Sequence, residues 1–128
     1  METPNSLRKL TDWNGTLYIL DRPELPFEVS RAFFVVPTKD AVRGGHAHKR
    51  CQQLLICCSG EIKVTTESEL NSCITHQISV GQSLLIPPMT WACQYFVDSN
   101  SILLVLCSDA YDESDYIRDK SEFMQALY

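Results

Sequence analysis

Apolar residues fall along this chain in short runs rich in Val, Ile, Leu, Phe, Thr and Cys, parted by polar or glycine-bearing breaks. The pattern predicts strands over Thr16 to Leu20, Arg31 to Val36, Gln52 to Cys58, Glu61 to Thr66, Cys73 to Ile78, Ser83 to Ile86, Trp91 to Val97 and Ile102 to Cys107. Ser59-Gly60 reads as a two-residue hairpin turn, Val80-Gly81 as another break, and Asp98-Ser99-Asn100-Ser101 as a polar turn. Strands at such even spacing imply an antiparallel sandwich or small barrel. The period changes only at the C-terminus. There Asp119 with Glu122 three residues on reads as a capping box, and Phe123, Met124 and Leu127 follow at helical spacing. The predicted fold is all-β with a short helix over about 119–127 that packs on the barrel.

Length and charge narrow the function. The chain has 128 residues, enough for one domain over 1–128 with one sizeable core. Its formal net charge is −5, which argues against nucleic acid as a partner. An anionic ligand would therefore need a local cluster of cations, for which Arg31, Arg43, Lys49 and Arg50 are the candidates. Met1 to Ser6 lacks the basic and apolar regions of a signal peptide, and no apolar run approaches the roughly 18 residues that cross a bilayer. The 6 cysteines form no Cys-x-x-Cys pair and read as reduced, buried small hydrophobes of a cytoplasmic protein.

Candidate chemistry lies in Arg43-Gly44-Gly45-His46-Ala47-His48-Lys49. Residues i and i+2 of a strand share a face, so His46 and His48 can point into one cavity. Paired imidazoles suit either a divalent metal or proton transfer near neutral pH. The spacing fits the first signature of the cupin barrel, with His46 and His48 followed by Gln53 where that signature has an acid, and by Gly60. The second signature is met by Gly81 and Pro87, with Ala92 in place of its histidine. Half of the usual metal site is thus missing. His76 lies away from both signatures and reads as a surface histidine. No tightly bound metal is expected, which leaves His46 and His48 free to act as acid and base.

Three blocks carry a more specific likeness. Pro26-Phe27-Glu28-Val29-Ser30-Arg31, the Arg43 to Lys49 run, and Ser108-Asp109-Ala110-Tyr111-Asp112-Glu113-Ser114-Asp115-Tyr116-Ile117-Arg118 together resemble the nucleotide-sugar 3,4-ketoisomerases of the cupin fold. The resemblance implies a cofactor-free keto–enol isomerisation of a TDP-linked 6-deoxyhexose. The ketone moves between C4 and C3 through an enediol, with His46 as base and His48 as its partner. It further implies Arg43, Lys49 and Arg31 as diphosphate clamps, and Trp91 and Tyr95 as surfaces for the base or the sugar. A homodimer that exchanges N-terminal strands, here Thr16 to Leu20, belongs to the same expectation.

The chain departs from that family at three places. Phe33-Phe34 stand where a tyrosine is usual, Asn14 where an arginine is common, and Ala92-Cys93 where polar or acidic residues follow the tryptophan. Two other classes stay in view. A non-catalytic sugar-nucleotide-binding cupin would bind TDP without hydrogen exchange at C3. A metal-dependent cupin oxygenase would need bound iron or zinc.

Overall fold

Alternation of buried and exposed side chains lays out the layers of the computed structural model, which describes residues 3–128. Its strands are β1 (Asn5–Ser6), β2 (Arg8–Asp12), β3 (Gly15–Ile19), β4 (Arg31–Val35), β5 (Ala41–His48), β6 (Gln53–Ser59), β7 (Glu61–Glu67), β8 (Ile74–Ser79), β9 (Gln82–Ile86), β10 (Trp91–Phe96), β11 (Ile102–Cys107) and β12 (Tyr116–Ile117). One helix, α1 (Lys120–Leu127), closes the chain. Two five-stranded sheets form, in the orders β1-β9-β6-β11-β4 and β12-β5-β10-β7-β8, and β2 and β3 make a separate hairpin. Every pairing is antiparallel.

The two sheets face each other across one apolar core. Ile62 and Val64 of β7, Ile78 of β8, Leu84 and Ile86 of β9, Phe96 of β10 and Leu103 and Val105 of β11 all point into it. Each fully buried side chain of this size contributes roughly 1.5–3 kcal/mol. A second, smaller cluster lies on the other side of β5. Ala47 and Ile117 meet Phe123 of α1 there, with Met89, Trp91, Met124 and Leu127 around them. Asp119 caps α1 by accepting a hydrogen bond from the Glu122 backbone at 2.9 Å, as the capping box requires.

The all-β expectation and its terminal helix are borne out, and the eight strands read from the pattern lie within a residue or so of those observed. Three features differ. β1, β2, β5 and β12 arise where the hydrophobic pattern marked no strand: β1 and β12 are two residues long, β2 is exposed along its whole length and β5 carries two glycines. Cys58 and Cys73 are exposed rather than buried. His76 is buried, since it shares the inward parity of Ile78 on β8. Its Nε2 lies 3.0 Å from Thr66 Oγ1.

Candidate functional site

A break in β5 sets up the site. Arg43 and His46 are three residues apart, a spacing that places side chains on opposite faces of a regular strand. The register between β5 and β10 shifts at this point, with Ala92 opposite His46 and Cys93 opposite Gly44. The extra residue is accommodated by positive φ angles at Gly44 (+84°) and Gly45 (+75°). At Gly44 a side chain is further excluded, because a Cβ would lie 2.8 Å from the Ala92 carbonyl oxygen. The bulge turns Arg43 and His46 to the same cavity.

That cavity, about 490 Å³, lies at one end of the core. Arg31, Arg43, His46, Gln53, Gln94, Tyr111, Tyr116 and Arg118 line it, over a floor of Phe33, Leu55, Leu103 and Val105. Its walls carry arginines and no carboxylate among the described residues, although the chain as a whole is acidic. A local field of this sign favours an anion. A smaller cavity of about 300 Å³, between the β7–β8 loop and the end of α1, contains neither arginine nor histidine.

The segment after β11 supplies much of the wall. Ser108 ties it to Gln52 by two hydrogen bonds, and the Asp112 side chain accepts from Ser114 N at 3.0 Å to start a tight turn. β12 then pairs with the end of β5, setting Tyr116 opposite His48 and Ile117 opposite Ala47. The Tyr116 ring packs 5.0 Å from the ring of His46 and 4.3 Å from that of His48. The Arg118 guanidinium lies over the same ring at 4.2 Å.

The two imidazoles meet edge to face at 5.1 Å but are placed differently. His46 borders the cavity; His48 stands behind it, only 6% exposed. The buried Asp115 carboxylate accepts backbone N–H groups from Arg50 (2.8 Å) and Cys51 (3.2 Å), and lies 3.2 Å from His48 Nδ1. An acceptor at Nδ1 fixes the tautomer with its proton there, leaving Nε2 as a bare lone pair. That Nε2 is buried and has no hydrogen-bond partner, an arrangement that packing alone does not call for. Burial, with His48 and Arg118 adding repulsion, lowers the pKa of His46 to about 4. Burial also lowers that of His48, against the pull of Asp115. His46 is thus a neutral base at pH 7.

A second network holds the cations. Arg118 grips Glu113 through two hydrogen bonds, at 2.8 and 3.0 Å, and Tyr111 donates to the same carboxylate at 2.6 Å. Arg118 and then Tyr111 hold the Glu113 pKa at about 2. Arg31 donates to the Tyr116 hydroxyl at 3.3 Å and lies over the rings of Phe33 and Tyr111.

Of the residues expected from the sequence, His46, Arg43 and Arg31 line the cavity, and His48 backs it. Lys49, Trp91 and Tyr95 are not brought there. Lys49 follows the end of β5 and is exposed. Trp91 and Tyr95 occupy the outward parity of β10, whose inward residues are Ala92, Gln94 and Phe96. Trp91 instead packs 5.6 Å from Phe123 under Lys120. Arg50 pairs with Asp112 at the surface. Sequence reasoning assigned no role to Asp115, Tyr116 or Arg118. Their signal was a cluster of Tyr, Asp, Glu and Arg in a segment without periodicity, where functional loops are found.

The donors available to a metal are few. Gln53 and Ala92 replace a carboxylate and an imidazole of the cupin signature, and Gln53 donates to Cys107 Sγ at 3.6 Å. His48, Cys51 and Asp115 offer atoms within 4.8 Å of one another, but both Asp115 oxygens already accept backbone amides. This donor set does not fit a catalytic metal.

The family model described as FdtA, WxcM-like, C-terminal matches residues 3–128. The chain belongs to this family. It is 31% identical, over 95% of its length and 89% of the relative's, to a TDP-4-oxo-6-deoxy-alpha-D-glucose-3,4-oxoisomerase of Aneurinibacillus thermoaerophilus. Its fold matches QdtA, a sugar 3,4-ketoisomerase of Thermoanaerobacterium thermosaccharolyticum solved with TDP, at a TM-score of 0.91. That alignment has 27% identity and covers 98% of this chain and 93% of the other. The TDP-quinovose 3,4-ketoisomerase WlaRB of Campylobacter jejuni matches at 0.87, with 31% identity over 97% of both chains. These likenesses bear out the cupin-type ketoisomerase resemblance read from the three sequence blocks.

Proposed function

We propose that this protein is a sugar-nucleotide 3,4-ketoisomerase, an enzyme that moves a ketone between C4 and C3 of a TDP-linked 6-deoxyhexose. The observation that carries the reading is a neutral imidazole, His46, at the wall of a cavity whose charged lining is entirely arginine. The arginines suit a diphosphate and the imidazole suits an acidic C–H bond. Its TDP specificity rests on the named ligands of the family relatives.

The reaction conserves atoms without any oxidant. His46 takes the proton at C3, acidified by the neighbouring C4 ketone, and O4 gains a proton to give an enediol. O3 then gives up its proton while C4 receives one, which leaves the ketone at C3. Negative charge on oxygen during these steps is stabilised by the arginine field. His48, locked by Asp115, packs edge to face against His46 and helps hold it in place, while burial keeps His46 uncharged. No cofactor is required, because both shifts are proton transfers.

A homodimer fits the N-terminal hairpin, which presents Leu10, Trp13 and Leu17 to solvent with exposures of 63%, 91% and 60%. Apolar side chains raised on a hairpin that is paired with neither sheet suit strand exchange with a second copy. Sedimentation at micromolar concentration would then give twice the 14.6 kDa chain mass. A reducing compartment, the cytoplasm, suits six free thiols. No helix among the described residues is long and apolar enough to cross a membrane.

Incubation with TDP-4-keto-6-deoxyglucose in D₂O tests the activity. The expected product is the 3-keto sugar with solvent deuterium at C4, observed by NMR. Tight TDP binding with neither product nor exchange would instead make the chain a binding module.

A further inference from the structure

We propose that Tyr116 is a second proton-transfer residue, which carries the oxygen-bound proton between O4 and O3 of the sugar while His46 carries the carbon-bound one. The inference rests on the isomerase reading above. The isomerisation needs two different proton shifts, one along carbon and one along oxygen, and His46 accounts for the first.

Two phenols reach the cavity, and their hydrogen bonds differ. Tyr111 has committed its proton to Glu113 at 2.6 Å. The Tyr116 oxygen accepts from Arg31 at 3.3 Å and donates to no described group, so its proton is free for a ligand. The ring is held on several sides, by His46 at 5.0 Å, His48 at 4.3 Å, Tyr111 at 5.6 Å and the Arg118 guanidinium at 4.2 Å. Its backbone is paired with His48 on β5. A rigid hydroxyl beside the base, with a cation at its oxygen, can give up a proton and hold the charge that remains.

The cycle balances. As the C3–H proton passes to His46, Tyr116 donates its O–H proton to O4 and the enediol forms. The Tyr116 phenolate, stabilised by Arg31, then takes the O3 proton while protonated His46 returns a proton to C4. Both residues end as they began. Phe33, on the floor of the same cavity, has no hydroxyl to share this task.

The test compares wild type with Tyr116→Phe on TDP-4-keto-6-deoxyglucose in D₂O, following product and deuterium by NMR and TDP affinity by calorimetry. The variant should form product more slowly, by about 10²–10⁴-fold. Its TDP affinity should stay within about threefold. Deuterium should enter C3 of recovered substrate faster than product appears, because His46 still exchanges the carbon-bound proton. Product formation within about fivefold of wild type overturns the proposal. Loss of TDP binding together with turnover also overturns it in favour of a structural role. As a second probe that keeps the hydroxyl, 3-fluorotyrosine in place of Tyr116 should restore product formation to within about tenfold of wild type, and a rate as low as that of Tyr116→Phe overturns the role. A wild-type protein that neither exchanges nor isomerises refutes the underlying isomerase reading instead, and the role with it.

Discussion

His48 and His76 belong to the same sheet, face the same interior and are 6% and 7% exposed, yet only one of them stands in a site. Burial lowers the pKa of both, so each is neutral at pH 7. The difference lies in the neighbours. His76 hydrogen-bonds only Thr66 among the described residues, whereas His48 has a buried carboxylate on one nitrogen and a second imidazole and a phenol packed against its ring. A neutral buried histidine is therefore common property of this barrel. A segment that brings Asp115 and Tyr116 back across the end of β5 makes the pair at His46 and His48 chemical.

Substitutions graded by distance from the cavity sharpen this contrast. His46→Asn should have the largest effect, lowering turnover by about 10²–10⁴-fold while TDP affinity measured by calorimetry stays close to wild type. Asp115→Asn comes next. It should slow turnover by at least about 10-fold, because the amide no longer fixes the His48 tautomer. Its amide cannot accept from every N–H now bound there, so urea denaturation should show about 1–3 kcal/mol less stability.

Acid supplies a milder perturbation. With the His46 pKa at about 4, kcat/KM should hold level as pH falls through 6.5 and decline only on approach to 4. Over that interval the unfolded chain binds a proton at His46 that the folded chain refuses, so stability should fall as pH drops from 6.5 towards 4 in pH-dependent thermal melts. The smallest effect belongs to His76→Gln, with turnover within about twofold and stability within about 1 kcal/mol of wild type. A fall at His76 comparable to that at His46 would erase the distinction between the two environments.

Much of the fold was legible because the buried rows of β6 to β11 are chiefly apolar, with Gln53, His76, Ser83 and Gln94 as polar exceptions, and such rows announce strands. The histidine pair was legible from its spacing on β5. What stayed hidden is of a different kind. The Gly44-Gly45 bulge, which brings Arg43 round to His46, depends on φ angles and on the approach of the Ala92 carbonyl. Trp91 and Tyr95 are outward because Phe96 is inward, a parity that was available but outweighed by their aromatic character. Asp115 reaches its partners through a return of the chain across 64 to 67 residues of sequence and Tyr116 follows it onto β5, contacts that no local pattern reports.

Ala47 sits between the two imidazoles in sequence and faces away from them, fully enclosed with Ile117 and Phe123. The histidine-bearing strand is consequently a party wall between the arginine-lined cavity and the apolar compartment under the helix. Loosening of the terminal helix on warming would be felt at once by the rings on the far side. Inactivation and melting should therefore share one temperature, with no heat-softened yet folded form in between.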